Sequence, residues 1–362
     1  MERRTNKHAF TRRTMLLALT ATGLGSPMLA DEPKTSLATK QRLLSSFMPP
    51  PSKTIRLRTI AAEFPRTVVT AIDADPMGQY VAVAGDDHAI RILDAETMRV
   101  AKTLTGHRDL IRTLAFDSAG EKLVSAGNDG QLIVWDRQAN FSVLQRMQGT
   151  PALACVRFAP EGNEMAAAGF HNEVYVIGKS GGGKSVLECD CRDLRALAYR
   201  DDNEMLAVAG RSGDLHLFNM QTQKLLFEGK IHSGRVHDLK FHRDANTLVS
   251  VAEDGTLVVF DTRSQRVLSK TQVTTGKLFT VAIMNSSHVA VAGSDNLIRI
   301  VDTDRGRVVR NLEGHVGSIA NLSYHGGMLF SGGFDATLRR WSIDGVIENR
   351  ERIAGGDHGL ER

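Results

Sequence analysis

The sequence predicts an all-β fold of seven similar sheets arranged in a ring, and three observations predict it. A small residue recurs at Gly85, Gly127, Gly169, Gly210, Ala252, Gly293 and Gly333, with spacings of 42, 42, 41, 42, 41 and 40 residues. Two positions after each comes a turn residue: Asp87, Asp129, His171, Ser212, Asp254, Asp295 and Asp335. Six positions further on comes an apolar residue: Leu93, Trp135, Ile177, Phe218, Phe260, Val301 and Trp341. Seven repeats of ~40–45 residues, each with short apolar runs separated by turns, are the pattern of a seven-bladed β-propeller of four-stranded antiparallel blades.

The fullest repeat runs from Gly106 to Asp136, GHRDLIRTLAFDSAGEKLVSAGNDGQLIVWD. It opens with Gly-His and closes with Trp-Asp, and it resembles a WD repeat. His107, Ser125, Asp129 and Trp135 carry the resemblance. The resemblance implies a hydrogen-bonded chain in which the Asp accepts from the His and the Ser hydroxyl links the His to the indole N–H. The same set recurs in blade 7 as His315, Ser331, Asp335 and Trp341. Blade 5 has His232, Ser250 and Asp254, but Phe260 supplies no N–H. In blades 1, 3, 4 and 6 the Ser position is Val83, Ala167, Val208 or Val291, so those blades are expected to rely on apolar packing.

In chain order, residues 1–30 resemble a twin-arginine export signal of bacteria. Arg12-Arg13 precede an apolar stretch from Leu16 to about Gly25, too short to span a bilayer and long enough for a signal core. Export to the periplasm or another extracytoplasmic space is the expectation, a cytoplasmic chain with a basic tail the alternative. Residues 31–54 read as a linker containing Pro49-Pro50-Pro51. Ile55 to Ile60 reads IRLRTI and is the expected closing strand at 55–60, completing the last blade and removing an open sheet edge. Val346 to Glu348, after the Asp344-Gly345 turn, competes for that place. The propeller is expected over 55–350, with blades at about 66–105, 106–148, 149–189, 190–230, 231–271, 272–313 and 314–350, and residues 351–362 form a tail. Second strands such as Val81-Ala82-Val83-Ala84 and Val289-Ala290-Val291-Ala292 are continuously apolar, so both faces are expected to be covered by neighbouring blades.

Composition and motifs narrow the function. Arg3, Arg4, Lys7, Arg12 and Arg13 against Glu2 account for the whole net charge of +4. The rest of the chain is neutral, which argues against a nucleic-acid partner. Gly178 to Ser185 matches the P-loop spelling GxxxxGK[ST], but no helix has room to follow it, so it is read as a chance match in a hairpin. Ser-His-Asp sets suggest nucleophilic chemistry elsewhere, but here they follow the repeat period and are read as structural. Cys155 is expected in the core. Cys189 and Cys191, with His171, fall short of a closed zinc site. No catalytic, cofactor or metal residues are assigned.

The reading is a non-catalytic scaffold, monomeric within a complex, that binds a protein or peptide. A propeller enzyme or small-ligand binder using the channel mouth is the alternative. The resemblance implies a binding face at the Gly-His loops. It places there Phe170, Arg211 and Phe334 from the turns and Arg112, Arg195, His237 and Phe279 from the strand starts, with Arg235 beside them. Arg and aromatics are common binding hot spots, and the cations favour an acidic ligand.

Overall fold

The computed structural model describes residues 52–60, 66–178, 184–190, 192–242 and 246–343. The export signal at 1–30, the linker up to residue 51, the rival strand at 346–348, Cys191 and the tail at 351–362 lie outside the described residues. Among the described residues the chain forms 28 strands in seven four-stranded antiparallel sheets, and no helix is present. Blade 1 shows the plan, with Val69–Ala74 innermost, then Tyr80–Gly85, Ile90–Asp94 and Val100–Leu104 at the rim.

The last sheet is the exception in chain order. Its inner strands are Ile319–His325, Met328–Gly333 and Thr337–Ser342, and its outer strand is Ser52–Arg56 from the other end of the described chain. Ser52 pairs with Trp341 and Arg56 with Thr337. The strand therefore lies three residues earlier than the alternation at 55–60 suggests, and it takes its first residues from the expected linker. The physical reason is competition for the backbone. Past Arg56, the Arg58 carbonyl accepts from the Arg91 guanidinium at 2.8 Å and the Ile60 N–H donates to Asp87 at 3.0 Å, so neither serves a ladder.

The core is seven clusters, each shared by two blades. Between blades 1 and 2, for example, Ala82, Ile90 and Ile92 meet Leu114, Leu123 and Trp135. Across the closure, Val69, Val81 and Leu93 meet Phe330 and Leu338, with Leu57 beside them. Second strands are buried on both faces, as in Val81–Gly85, because a neighbouring sheet covers each side. Burying one such Val, Leu or Phe side chain contributes roughly 1.5–3 kcal/mol.

The recurring small residue has a steric cause. A Cβ on Gly127 would sit 2.2 Å from the Leu110 carbonyl oxygen, and one on Gly169 2.0 Å from that of Ala152. At Gly127, Gly169, Gly210, Gly293 and Gly333 the chain entering the blade crosses the end of the second strand at backbone contact, and at Gly85 the Thr67, Asp87 and Arg91 side chains fill the space, so most of the period is a packing requirement.

Candidate binding face

The polar loops that hold the entering chain come first. In blade 2, His107 Nδ1 lies 2.9 Å from Asp129 Oδ2, its Nε2 2.8 Å from Ser125 Oγ, and Trp135 Nε1 donates to Ser125 Oγ at 2.9 Å. In blade 7 the corresponding distances from His315, Ser331 and Trp341 are 2.9, 2.7 and 2.8 Å. One neutral tautomer satisfies every bond: Nδ1–H donates to the carboxylate, Ser O–H donates to Nε2, and the indole N–H donates to Ser Oγ. Burial lowers the pKa of both His107 and His315, against the pull of Asp129 and Asp335, and so favours that neutral form. In blade 5, His232 bridges Asp254 at 3.2 Å and Ser250 at 2.8 Å, and Phe260 packs on Phe227 with ring centroids 5.1 Å apart. Burial works to raise the Asp254 pKa, but hydrogen bonds from His232, Thr256 and the Ser233 N–H hold it below the ordinary range. Ser125, Ser250 and Ser331 are all buried, so no substrate reaches these hydroxyls as nucleophiles.

Blades 1 and 6 do not rely on apolar packing alone, contrary to the sequence expectation. Asp87 takes a two-pronged ion pair from Arg91, a bond from Thr67 at 3.3 Å and the Ile60 N–H. Asp295 is held by Arg299 Nη2 at 2.7 Å and by Thr274 at 2.6 Å. The turn carboxylate is kept, and an Arg four residues on with a Thr on the entering loop replaces the His-Ser pair. The spacing Asp-x-x-x-Arg was the available signal. Blades 3 and 4 have no turn carboxylate. There His171 is exposed and Ser212 accepts the Asp214 N–H at 3.2 Å.

A β-bulge then aims one residue of each innermost strand. In all seven blades the register slips at the start of the pair formed by the innermost and second strands. The skipped residues are Thr70, Arg112, Ala154, Arg195, His237, Phe279 and Ala320. A bulge leaves one residue out of the ladder and re-aims it. Here all seven line one axial cavity of about 470 Å³ together with Phe334 and Asp86. Five of the eight residues expected on the binding face thus converge on this cavity: Arg112, Arg195, His237, Phe279 and Phe334.

The other three stand around it. Phe170 is a platform, with Arg195 stacked at 4.5 Å and Arg112 at 5.7 Å from its ring centre. Arg235 bridges Asp193 at 3.0 Å and Glu253 at 3.3 Å. Arg211 is exposed and is not among the cavity residues. Glu253 also meets His237 at 3.2 Å and Lys277 at 3.4 Å, and His237 meets Phe279 edge-on at 5.1 Å. Burial lowers the His237 pKa, so its ring is neutral near pH 7. Much of the basic tilt read from the sequence is therefore balanced locally, because Asp193 also pairs with Arg195.

Sequence reasoning missed the deeper channel. Asp73, Thr113, Asp238, Thr280 and Ser323 each accept a backbone N–H from the next blade, at Phe116, Val156, Val281, Leu322 and Ala74, over 2.7–3.3 Å. Innermost strands are sheet edges, and these side chains satisfy donors that a ladder leaves open. Polar residues on otherwise apolar innermost strands were the signal. Arg157 also lines the cavity, and its guanidinium donates to Thr113 at 3.2 Å.

Two motifs resolve locally. Glu173–Gly178 and Lys184–Glu188 pair antiparallel across the P-loop-like stretch, and residues 179–183 lie outside the described residues. Cys155 and Cys189 are both buried in the core cluster shared by blades 3 and 4. Among the described residues no cluster of three or more His, Cys, Asp or Glu is placed to hold a metal.

Residues 56–94, 98–136, 223–261 and 306–342 match the family described as WD domain, G-beta repeat. These four stretches match WD repeats. They end on the third strands of blades 1, 2, 5 and 7, the first with the Asp87–Arg91 pair and the others with the His-Ser-Asp set. Nuclear distribution protein PAC1 of Arthroderma benhamiae is 24% identical over 312 residues, 78% of this chain and 60% of that protein. Guanine nucleotide-binding protein G(I)/G(S)/G(T) subunit beta-1 of Homarus americanus is 30% identical over 183 residues, 48% of this chain and 52% of that protein. Periodic tryptophan protein 2 homolog of Caenorhabditis elegans is 21% identical, and the match covers 26% of that protein. The chain thus spans from about a quarter to three fifths of the length of these relatives. The crystal structure of the Myceliophteria thermophila Cps50 (Swd1) β-propeller domain superposes with a TM-score of 0.71 at 21% identity, covering 81% of this chain and all of that one. That likeness speaks for the fold.

Proposed function

We propose that this chain is a non-catalytic scaffold that docks a protein or peptide partner on the face bearing the axial cavity. The observation that carries the reading is convergence: seven bulged residues from seven blades open onto one cavity, beside an aromatic residue, Phe334, that is 61% exposed. An exposed phenyl ring next to stacked guanidinium groups is the composition of a binding hot spot. A relative named as a subunit of a guanine nucleotide-binding protein acts, by that name, within an assembly, which supports the same class. The partner is acidic where it meets the cavity, and the propeller enters its complex as a monomer. The Arg12-Arg13 leader supports export of the chain to an extracytoplasmic space, where the complex forms.

Photo-crosslinking tests the face. A benzoylphenylalanine placed at Phe334 should capture a partner in native extract, whereas one at Val186 on the outer rim, 43% exposed, should not. Capture from Val186 and none from Phe334 would reject this face.

A further inference from the structure

We propose that the axial cavity receives one carboxylate, carried by an aspartate or glutamate side chain of the partner, on the outward end of the Arg112 guanidinium. This rests on the cavity-bearing face being the docking face, and it names what enters.

Arg112 is built for the task in a way its neighbours are not. The bulge lifts it out of the ladder, and its Nε donates to Asn128 Oδ1 at 2.9 Å, which fixes the plane of the group. Among the described residues its two terminal nitrogens have no hydrogen-bond partner, and no carboxylate lies within 4.0 Å of it. That leaves a parallel pair of N–H groups, the fork that binds a carboxylate through two bonds. Arg195 shares the Phe170 platform but is paired with Asp193, and Arg235 is paired with Asp193 and Glu253. A second, independent feature lies one blade away. Thr70 lines the same cavity, and its hydroxyl is enclosed and without a partner among the described residues, so it gains one by turning toward the bound carboxylate. Burial, followed by the charge of Arg195, lowers the Arg112 pKa against the pull of Asp109 and Asp193, and the charge of a bound anion offsets that loss.

The same inventory selects the anion. Asp86 lines the cavity, and Asp193 and Glu253 sit on its rim. Arg157, also on the cavity, feels the charge of Asp238 and donates to Thr113 and the Val156 carbonyl. A phosphate dianion would therefore face the carboxylates with only the Arg112 fork fully open, whereas a single carboxylate matches it. Phe334, on the same cavity, gives an apolar seat for a residue next to the acidic one.

The test is calorimetric titration of the full chain with acetyl-Gly-Phe-Glu-Leu-Gly-amide. Three counterparts replace Glu with Gln, replace Glu with phosphoserine, or carry Gln and end in a free carboxylate. The Glu peptide should bind, and the Gln and phosphoserine peptides should bind about tenfold more weakly or worse. A free chain end should add nothing. Arg112→Gln should remove the preference for Glu over Gln, and Arg112→Lys, which keeps the charge and loses the fork, should remove most of it. Both variants are checked for an unchanged urea midpoint. Equal binding of Glu and Gln peptides, or an Arg112→Gln protein that still prefers Glu, would overturn the proposal. Tighter phosphoserine binding, a gain from the free chain end, or no binding by the Glu peptide would also overturn it. Phe334→Ala separates this from the reading beneath it. If that variant weakens the Glu and Gln peptides alike while they bind the parent equally, the docking face stands and the carboxylate seat falls.

Discussion

Replacing Asp335 with alanine should destabilise the propeller far more than replacing Ser212, although both occupy the same turn position. Asp335 is almost fully enclosed and accepts four bonds: from His315 Nδ1 at 2.9 Å, Thr337 Oγ1 at 2.7 Å, the Thr337 N–H at 3.1 Å and the Val316 N–H at 3.2 Å. Val316 is 83% exposed, so its N–H can turn to water. The His315 and Thr337 donors are buried and cannot. His315 Nδ1 can turn to Thr337 Oγ1 at 3.4 Å, which leaves two stranded donors at about 1–3 kcal/mol each, a loss on the order of 2–6 kcal/mol. Ser212 accepts the Asp214 N–H in a turn that is half exposed, and its loss should stay below about 1 kcal/mol. With a urea slope near 3 kcal/mol per molar, the Asp335→Ala midpoint should fall by roughly 1 M, and the Ser212→Ala midpoint by about a third of that or less. Equal midpoints for the two variants would refute the idea that the His-Ser-Asp-Trp set holds the blade.

The remaining predictions follow the same groups. Arg91→Ala leaves Asp87 buried without its cation and should cost about 3–5 kcal/mol, read from urea unfolding; a loss under about 1 kcal/mol would mean that the pair is idle. Acid should destabilise before ordinary carboxylates titrate. His107, His237 and His315 have folded pKa values lowered below 6.5, so the unfolded chain binds more protons and stability falls as pH drops below 6.5. Asp129 and Asp335, held low by their partners against burial, add a second loss below their unfolded pKa near 4. Melting temperature against pH should therefore decline from about pH 6.5 and steepen below about pH 4; a flat profile between pH 7 and 5 would contradict the neutral-His assignment. Finally, Arg12→Lys with Arg13→Lys should block translocation of a reporter fused to residues 1–30, and equal translocation would remove the twin-arginine assignment.

The fold was legible because its period is written in residues that the backbone demands. Gly127 and Gly169 mark a carbonyl that leaves no room for a Cβ, and Asp129 and Asp335 mark loops that need an acceptor. Less legible were substitutes that reach the same end by other chemistry. Arg91 and Arg299 replace the His-Ser pair, and a search for His and Ser passes over them. The residues that line the cavity were legible in position but not in their charge balance. Arg112 and Arg195 were placed by their spacing from the loop histidine position, but Arg195 is neutralised by Asp193 two residues before it, and Arg235 by Asp193 and Glu253 from more distant points of the chain, which leaves Arg112 without a carboxylate within 4.0 Å. The bulge that presents those residues has no local spelling, because Thr70, Ala154 and Phe279 share no chemistry. The closing strand was misplaced by three residues because side chains of blade 1 claim the backbone at Arg58 and Ile60.

The most direct test of the docking face uses the isolated partner and a double variant, Arg112→Glu with Phe334→Asp, whose urea midpoint matches the parent. Both positions line the cavity, and neither belongs to a His-Ser-Asp-Trp set. Loss of a charge-assisted contact and an aromatic anchor, about 1.4 kcal/mol or more each, should weaken partner affinity by about a hundredfold or more. An affinity equal to that of the parent would place the partner elsewhere on the propeller and contradict the account.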